Sequence, residues 1–434
     1  MQNVNCVNAR TVAFVTLGCA KNEVDTRDMG NKLRSAGHRV IDNPELADIV
    51  IVNTCSFIQS ATEESIDTIF ELCELPRIED GSAALVVAGC MPARYGSDLE
   101  EELSEPKAFV PCSKEDDIVA VVESIALEGV QGDLVDEEQA TSDVFAYVKI
   151  SDGCDRWCSY CTIPIIRGRY RSFPYESIRE EVASCVDAGA KEVCLIAQDT
   201  GKWGSDFEDP QTLAWLVEKL ATEFCDTWIR IMYLQPEGIT EELLSVIAKF
   251  DNICSYIDMP LQHVDADVLR SMNRSGSRAE IEECFERIFS IVPDMTLRTT
   301  LIAGYPGETE EQFEELCDFV ENSPFSYIGV FPYSREEGTR AYDLPDQLDE
   351  DEKLERAQRI RDIADAVCAS RVAMRIGNKE TVLVEGVEDD GQLYGRCQCQ
   401  APEVDGVTFV EKGELGDFVK TTIIDTLMYE MEGE

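Results

Sequence analysis

Apolar runs rich in β-branched residues alternate with helix-like stretches over most of the chain, and this alternation limits the possible folds most. Three such runs lie between residues 10 and 120: TVAFVTLGC, ADIVIVNTC and ALVVAGC. Continuous apolar runs, rather than alternating ones, are typical of parallel strands that are covered on both faces. They predict an N-terminal doubly wound parallel α/β domain at residues 8–124.

A second strand-and-helix series begins at Phe145. Its apolar runs are FAYVKI, EVCLIAQ, WIRIMYL, SYIDMPL, TLRTTLIAG and YIGVFPY, with helix-like segments between them. Six β/α units in succession predict a barrel, or part of one, at residues 144–368. The preceding segment, residues 125–143, holds six acidic residues, two glycines and no Lys or Arg, which indicates a linker.

The last part of the chain changes character. After Pro345 a long charged helical pattern leads away from the second series, and from Glu380 onward short alternating runs are separated by glycines. This pattern predicts a small antiparallel β-barrel at residues 371–434.

The chain is acidic throughout. Its 434 residues carry 86 Asp+Glu against 38 Lys+Arg, a net charge of −48, of which −12 lies in residues 1–125, −28 in 126–370 and −8 in 371–434. Such an even distribution is more simply a solvated surface than one docking patch. It argues against a protein that mainly grips nucleic-acid phosphates or an anionic membrane, whereas a basic partner would suit it.

Eighteen cysteines are many for a cytoplasmic protein but too few for a disulfide scaffold. The N-terminus shows no signal-peptide pattern, and no stretch approaches the ~20 apolar residues of a membrane span. We therefore expect a folded, soluble protein of the reducing cytoplasm. Its cysteines are then metal ligands, redox groups or small buried apolar residues.

Three of the cysteines, Cys154, Cys158 and Cys161, form a CxxxCxxC motif directly after the first predicted barrel strand. Barrel chemistry usually lies at that end of the strands. The only histidines of the chain are His38 and His263, so no nearby imidazole completes a four-ligand zinc site. Three thiolates can instead hold a [4Fe–4S] cluster and leave one iron open.

A second set, Cys19, Cys55 and Cys90, ends the three N-terminal apolar runs at separations of 36 and 35 residues. Parallel strands that end together bring such residues to one rim of the sheet, where these folds bind ligands. The small residues before Cys19 and Cys90 would let the backbone come close to a bulky cluster. Cys112 also ends a strand-like run, and periodicity alone does not exclude it as a ligand.

The CxxxCxxC motif with an aromatic residue at Tyr160, on a β/α barrel, resembles that of the radical S-adenosylmethionine enzymes. With the three-cysteine N-terminal domain and the C-terminal barrel, a TRAM domain, the chain is similar to the methylthiotransferases over about residues 10–430. The resemblance implies that a cluster on the CxxxCxxC cysteines binds S-adenosylmethionine and cleaves it reductively to a 5′-deoxyadenosyl radical. It also implies a second [4Fe–4S] cluster on the three strand-end cysteines, without Cys112, that carries or supplies sulfur.

The resemblance suggests further contacts and partners. Tyr160 could pack near the adenine of S-adenosylmethionine, and Gln198, Asp199 and Arg298, near strand ends, could contact its amino-acid or ribose part. For each of these residues, packing in the barrel or a surface salt bridge is the alternative. An electron donor such as flavodoxin or ferredoxin and a sulfur donor are implied as well.

Two substrate classes divide the methylthiotransferases: an adenosine of tRNA and an aspartate of a ribosomal protein. The stretches ISDGCDR (150–156), LQH (261–263) and APEVDG (401–406) resemble the protein-modifying branch. That branch implies insertion of sulfur and a methyl group at the β-carbon of an aspartate in small-subunit ribosomal protein twelve, a strongly basic protein. The acidic C-terminal barrel fits this partner better than tRNA.

Two alternatives stay open. Arg167, Arg169 and Arg171 follow the cysteine loop and are consistent with an RNA contact or with a structural or substrate-orienting role. An iron–sulfur electron carrier would also hold two clusters, although it needs neither three large domains nor an open iron.

Overall fold

A computed structural model describes residues 9–126 and 144–434, so the predicted linker at 125–143 lies almost wholly outside the described residues. The chain folds into two units. The first contains residues 9–126 with the segments Cys161–Arg169 and Glu336–Gly338, and the second contains the other described residues. The segment Cys161–Arg169, which begins with the last cysteine of the CxxxCxxC motif, thus groups with the first unit. The predicted domain boundaries stay predictions.

The first unit is built on a parallel sheet of five strands: β1 (Thr11–Thr16), β2 (Arg39–Ile41), β3 (Ile49–Thr54), β4 (Ala84–Gly89) and β5 (Ala108–Pro111). Their order in the sheet is β2-β1-β3-β4-β5, and all neighbours are parallel. Every residue of β3 and β4 is buried, which explains their continuously apolar sequences.

Helices cover both faces of this sheet. Ile49 and Ile51 of β3 belong to the core on one face, and Val50 and Val52 belong to the core on the other. The predicted doubly wound α/β domain is therefore confirmed. The helices are α1 (Ala20–Ser35), α2 (Gln59–Cys73), α3 (Pro76–Glu79), α4 (Cys90–Tyr95), α5 (Ser97–Glu102), α6 (Ile118–Ser124) and α7 (Ile163–Ile166), with 3-10 turns at Pro44–Leu46 and Cys112–Asp117.

The second unit begins with a partial β/α barrel. Its strands are β6 (Phe145–Lys149), β7 (Ser151–Asp152), β8 (Arg171–Ser172), β9 (Glu192–Ile196), β10 (Trp228–Ile231), β11 (Tyr256–Asp258), β12 (Thr296–Ala303) and β13 (Tyr327–Pro332). Strands β7 and β8 form a short antiparallel pair. The other six are the six predicted barrel strands, and they form two parallel sheets in the orders β10-β9-β6 and β11-β12-β13.

Backbone hydrogen bonds join these two sheets. The Ile229 amide donates to the Asn252 carbonyl over 2.8 Å, and the Cys254 amide donates to the Ile229 carbonyl over 2.9 Å. The helices around them are α8 (Tyr175–Asp187), α9 (Leu213–Glu223), α10 (Glu241–Lys249), α11 (Ala266–Ser271), α12 (Arg278–Ile291), α13 (Glu310–Asn322) and α14 (Glu350–Ala373), with 3-10 turns at Thr200–Lys202, Pro236–Gly238 and Arg340–Asp343.

Helix α13 illustrates how local sequence specifies these helices. Thr309 and Gln312 form a reciprocal capping box at its start, which satisfies two backbone amides. Phe313, Leu316 and Val320 follow at helical spacing and are all buried, so one face packs on the sheet. None of the helices in the described ranges is both long and apolar enough to cross a membrane.

A small closed barrel ends the chain. Its strands are β14 (Lys379–Val387), β15 (Leu393–Cys397), β16 (Thr408–Val410), β17 (Phe418–Leu427) and β18 (Glu430–Gly433), in the closed order β14-β15-β16-β18-β17. The predicted small barrel is confirmed, but one pair, β16 with β18, is parallel. The reason is that β18 forms a hairpin with β17 and closes the barrel by pairing with β16 on its other side.

The C-terminal barrel docks where the strands of the β/α barrel begin. Glu192 is the first residue of β9, and its carboxylate accepts from Arg396 of β15 over 2.7 Å. Trp228, the first residue of β10, packs on Phe418 with 4.8 Å between ring centres. Tyr256, the first residue of β11, donates its hydroxyl hydrogen to a carboxylate of the C-terminal barrel. The C-terminal barrel thus does not cover the opposite strand ends, where the cysteine loop follows β6 and β7.

Candidate functional site

The three strand-end cysteines of the first unit come together at one rim of the sheet. Cys19 immediately precedes α1, Cys55 follows β3, and Cys90 is the first residue of α4, directly after β4. Cys19 is exposed, and the other two are buried. Burial raises the pKa of the Cys55 thiol to about 11, and Cys90 and Cys19 lie near enough to add to the rise.

Two glycines allow this convergence. Gly18 has φ +98°, and a Cβ there would lie 2.7 Å from the Cβ of Cys55. Gly89 has φ +94°, and a Cβ there would lie 2.2 Å from the Asn53 side-chain oxygen. L-residues rarely adopt such backbone angles, and the space is already filled. The small residues before Cys19 and Cys90 therefore let neighbouring strand ends approach each other.

Asn22 connects the same strand ends, and sequence reasoning missed it. This fully buried residue donates from Nδ2 to the carbonyls of Leu17 (2.8 Å) and Thr54 (3.0 Å). Its Oδ1 lies 3.7 Å from the Cys90 sulfur. One side chain in the first turn of α1 thus contacts the last residue of β3 and the residues just after β1 and β4. Only its position three residues after Cys19 could have signalled this role.

Cys112 lies beside the site, as its position after a strand allowed. A hydrogen bond joins its thiol and that of Cys90, and this bond and burial raise the pKa of Cys112. Proximity alone does not make it a ligand. Its exclusion from the ligand set follows from the family resemblance and stays a prediction.

Iron analysis of two alanine variants separates these roles. We expect Cys90→Ala to lose the N-terminal cluster, about four iron atoms per chain, and Cys112→Ala to keep it. The two thiols are neighbours, so Cys112→Ala is a matched control for local disturbance. Iron and sulfide are counted after anaerobic reconstitution. Loss of iron in Cys112→Ala with retention in Cys90→Ala would reverse the ligand assignment.

The residues fit the group that they are predicted to hold. Among the described residues, no set of three or more His, Cys, Asp or Glu side chains converges on a single metal ion. A [4Fe–4S] cluster binds one thiolate per iron, so its ligands surround the cluster and need not meet at one point. Three thiols at one rim, with backbone held close by glycine, satisfy that requirement.

The CxxxCxxC loop follows β6 and β7, and side chains of the second unit hold it. Arg156 donates to both carboxylate oxygens of Asp199, at 2.6 and 3.4 Å. Trp157 has the left-handed φ of +52°, and its carbonyl and that of Arg156 both accept from the Asn273 side chain. Cys154, the first cysteine of this loop, is buried. The loop is therefore preorganised by protein contacts.

Arg274 is a cation beside the loop that sequence reasoning also missed. Its guanidinium lies 3.9 Å from the Cys158 sulfur and donates to the Pro260 carbonyl over 2.7 Å and to Gln235. Its positive charge therefore lies beside one of the predicted cluster ligands. Neither the spacing of Arg274 nor its neighbours in sequence distinguish it from a surface arginine.

The four residues predicted to contact the cofactor have different surroundings in the structure. Both polar atoms of the Gln198 side chain are buried, and neither has a hydrogen-bond partner among the described residues. Buried amides without partners are costly, and a contact between Gln198 and the cofactor stays a prediction. Asp199 is brought to the cysteine loop, where it pairs with Arg156.

The other two contacts have protein partners. Tyr160 packs with an apolar cluster that includes Met272, Tyr305 and Tyr333. Arg298 is held by Asp258 at 3.0 Å and by Asp405 of the C-terminal barrel at 3.3 Å. These contacts match the packing and salt-bridge alternatives. Arg298 is the third residue of β12 and pairs with the C-terminal barrel at the strand starts, away from the cysteine loop, so its position does not favour the predicted cofactor contact. A cofactor role for Tyr160 stays a prediction.

The arginines after the loop also differ from one another. Arg167 is buried and pairs with Asp25 over 2.7 Å, whereas Arg169 and Arg171 are exposed. The buried guanidinium is not available to RNA phosphates. The structural alternative therefore holds for Arg167.

Known families match all three parts of the chain. Residues 11–110 match the uncharacterized protein family UPF0004, residues 148–320 match the radical SAM superfamily, and residues 376–434 match the TRAM domain. Radical SAM membership implies S-adenosylmethionine and a [4Fe–4S] cluster.

Two solved structures share the fold. The radical S-adenosylmethionine methyltransferase TsrM from Kitasatospora setae aligns over 75% of this chain and 74% of its own, with a TM-score of 0.53 at 14% identity. The cobalamin-dependent S-adenosylmethionine radical enzyme OxsB aligns over 82% of this chain and 56% of its own, with a TM-score of 0.52 at 14% identity. Identity this low shows similarity of fold alone.

Curated relatives match over nearly the whole chain. Ribosomal protein uS12 methylthiotransferase RimO of Natranaerobius thermophilus is 40% identical over 439 residues, which covers 98% of each chain. The proteins of that name from Clostridioides difficile and Geobacter sulfurreducens are 39% and 40% identical, again over 98% of each chain. With its cysteine loop after the first barrel strand and a small barrel at its C-terminus, the chain belongs to the RimO family of methylthiotransferases, within the radical SAM superfamily.

Proposed function

We propose that this protein inserts sulfur and a methyl group at the β-carbon of an aspartate of ribosomal protein uS12, by radical S-adenosylmethionine chemistry. One observation carries the proposal: relatives named for this activity match 98% of the chain at 40% identity. The uniform acidity of the chain, with a net charge of −48, supports a basic protein substrate over tRNA.

In this proposal Cys154, Cys158 and Cys161 hold the cluster that binds S-adenosylmethionine. Such a cluster supplies the reductive cleavage that yields a carbon radical, which can attack a C–H bond that no side-chain base could deprotonate. The protein holds and orients the reactants. Gln198 has an unmet donor and acceptor for the cofactor. The pair between Arg156 and Asp199 fixes the loop that carries two of the thiolates.

A second cluster, on Cys19, Cys55 and Cys90, is proposed to carry or supply the inserted sulfur. The convergence of three thiols at one rim supports it. An electron donor such as flavodoxin or ferredoxin and a separate sulfur donor complete the proposed partners. All the described cysteines are free, which is consistent with a reducing cytoplasm.

Offering both candidate substrates side by side tests the proposal. Reconstituted protein is incubated with S-adenosylmethionine, dithionite and a sulfide source, with purified uS12 in one reaction and tRNA in the other. We expect 5′-deoxyadenosine to form and one methylthio group to be added to a uS12 aspartate, as read by peptide mass spectrometry.

Each other result has a defined meaning. The same gain on tRNA adenosine would reject the protein-modifying branch. Absence of 5′-deoxyadenosine from protein with full iron content would reject the radical chemistry and favour an electron carrier.

A further inference from the structure

Arg167 places a buried positive charge among the N-terminal cysteines. Its guanidinium donates to Asp25 over 2.7 Å and to Asn22 Oδ1 over 3.1 Å, and the side chains of Arg167 and Asp25 are only 2% and 0% exposed. Asn22 Oδ1 lies 3.7 Å from the Cys90 sulfur, and Arg167 is near enough to Cys90 and Cys55 to interact with both through its charge. The cation is therefore part of the immediate surroundings of the predicted ligands.

The Arg167 cation lies close to the sulfur atoms of the rim. One side chain, Asn22, contacts both the guanidinium at 3.1 Å and the Cys90 sulfur at 3.7 Å. In a site screened from water, a cation stabilises nearby negative charge more strongly than it does at the surface.

Asp25 reduces the electrostatic effect of Arg167 on the rim. Its carboxylate compensates part of the Arg167 charge and fixes the guanidinium in place, since a buried charge without a partner is strongly unfavourable. Arg167 stabilises negative charge at the rim of the sheet, and Asp25 destabilises it. Removal of Arg167 should therefore make negative charge at the rim less favourable, and removal of Asp25 should make it more favourable. An ion pair with a purely structural role would not give these opposite effects.

We propose that Arg167 is a positioning residue that sets the reduction potential of the N-terminal cluster. Reduction adds one electron from the donor to the cluster, breaks no bond and makes the site more negative by one charge. The Arg167 guanidinium stabilises that state and raises the potential, and Asp25 moderates it. The inference rests on the proposed second cluster. Hydrogen bonds and nearby charge are among the ways by which proteins set such potentials.

The test uses the full chain with Cys154, Cys158 and Cys161 all changed to alanine, so that only the N-terminal cluster can form. The midpoint potential is measured by mediated titration with dithionite and electron paramagnetic resonance, and iron is counted in each sample. In this background Arg167→Gln is expected to lower the ratio of reduced to oxidised cluster about tenfold at the parent midpoint. For one electron this corresponds to about 59 mV.

Three further variants make the result decisive. Asp25→Asn should shift the potential upward, Arg167→Lys should restore part of the parent value, and the exposed Arg169→Gln should leave it unchanged. Arg169 is the matched control because it removes the same charge two residues away. If Arg167→Gln binds no iron, the sign of the Asp25→Asn shift decides alone.

The contrary outcomes are distinct. An unchanged potential in Arg167→Gln, shifts of the same sign in the Arg167 and Asp25 variants, or an equal shift in Arg169→Gln would overturn the inference while the second cluster stands. A parent protein that binds no iron would overturn the second cluster as well, and with it this part of the proposed function.

Discussion

The Cys158→Ala variant is expected to form no 5′-deoxyadenosine above background and to bind about four iron atoms fewer per chain than the parent. Cys158 lies in a loop that Asn273 and the pair between Arg156 and Asp199 hold in place. The Arg274 guanidinium faces its sulfur at 3.9 Å. No thiol of the chain is predicted to replace it, so two thiolates would be left for a cluster that needs three.

The measurement is chromatography of the nucleoside products together with iron and sulfide analysis of the same sample. Cys225→Ala is the control, since Cys225 is an exposed cysteine of the same unit without ligand spacing. We expect it to behave as the parent protein. Full iron content and normal 5′-deoxyadenosine formation in Cys158→Ala would remove this cysteine from the ligand set.

The second large effect concerns the ion pairs between the two barrels. The carboxylate of Glu192 is completely buried and accepts from Arg230 over 2.5 Å and from Arg396 over 2.7 Å. Arg396 also pairs with Glu385 and donates to the Gln400 carbonyl. Arg396→Met leaves two carboxylates with less compensation, and the removal of one partner from a buried pair costs about 3–5 kcal/mol.

Urea unfolding followed by tryptophan fluorescence measures this loss. The four tryptophans, at positions 157, 203, 215 and 228, all belong to the second unit, so the signal reports that unit. Arg359→Met is the matched control, because its pair with Glu314 is about half exposed on both sides. Exposed pairs contribute roughly 0–1 kcal/mol. Equal losses in the two variants would contradict the role of the buried network.

The same network gives a pH dependence with a defined sign. Burial opposes ionisation of Glu192, but Arg230 and Arg396 outweigh it and lower its pKa. A carboxyl group with a lowered pKa adds stability above its unfolded pKa, and this is lost as the pH falls through the folded value. In Arg396→Met the negative charge of ionised Glu192 is less compensated. Protonation of Glu192 at low pH removes that charge and should reduce the loss of stability. The stability difference between parent and variant is therefore expected to shrink as the pH falls from the folded pKa of Glu192 in the variant towards its lowered folded pKa in the parent.

Much of the fold was predictable because the signals are local. The continuous burial of β3 and β4 is written in their apolar sequences, and the six strands of the β/α barrel lie at the predicted runs. Strand direction and docking are not local. The parallel pairing of β16 with β18 follows from how the small barrel closes. The docking of that barrel at the starts of the strands follows from pairs between residues about 200 positions apart, such as Glu192 and Arg396.

The candidate site also contains residues that sequence can predict and residues that it cannot. Spacing along the sequence predicts six cysteines and leaves Cys112 open, because parallel strands end at a common rim. The family resemblance then favours the six. The residues that shape their surroundings carry no such pattern. Asn22, Arg156 and Arg274 are ordinary polar residues until folding brings them to a backbone carbonyl, a carboxylate or a sulfur.

Arg167 shows most clearly what the sequence alone cannot predict. In sequence it is one of three arginines after the cysteine loop, equally consistent with a surface that binds RNA and with a structural role. Folding buries it beside Asp25 and Cys90 and leaves Arg169 exposed. The sequence by itself determined the strands through local periodicity and the family through its motifs, and it predicts the two cysteine sets. Only the tertiary structure decided which charges are buried and what they face, because burial and contact depend on segments that are distant along the chain.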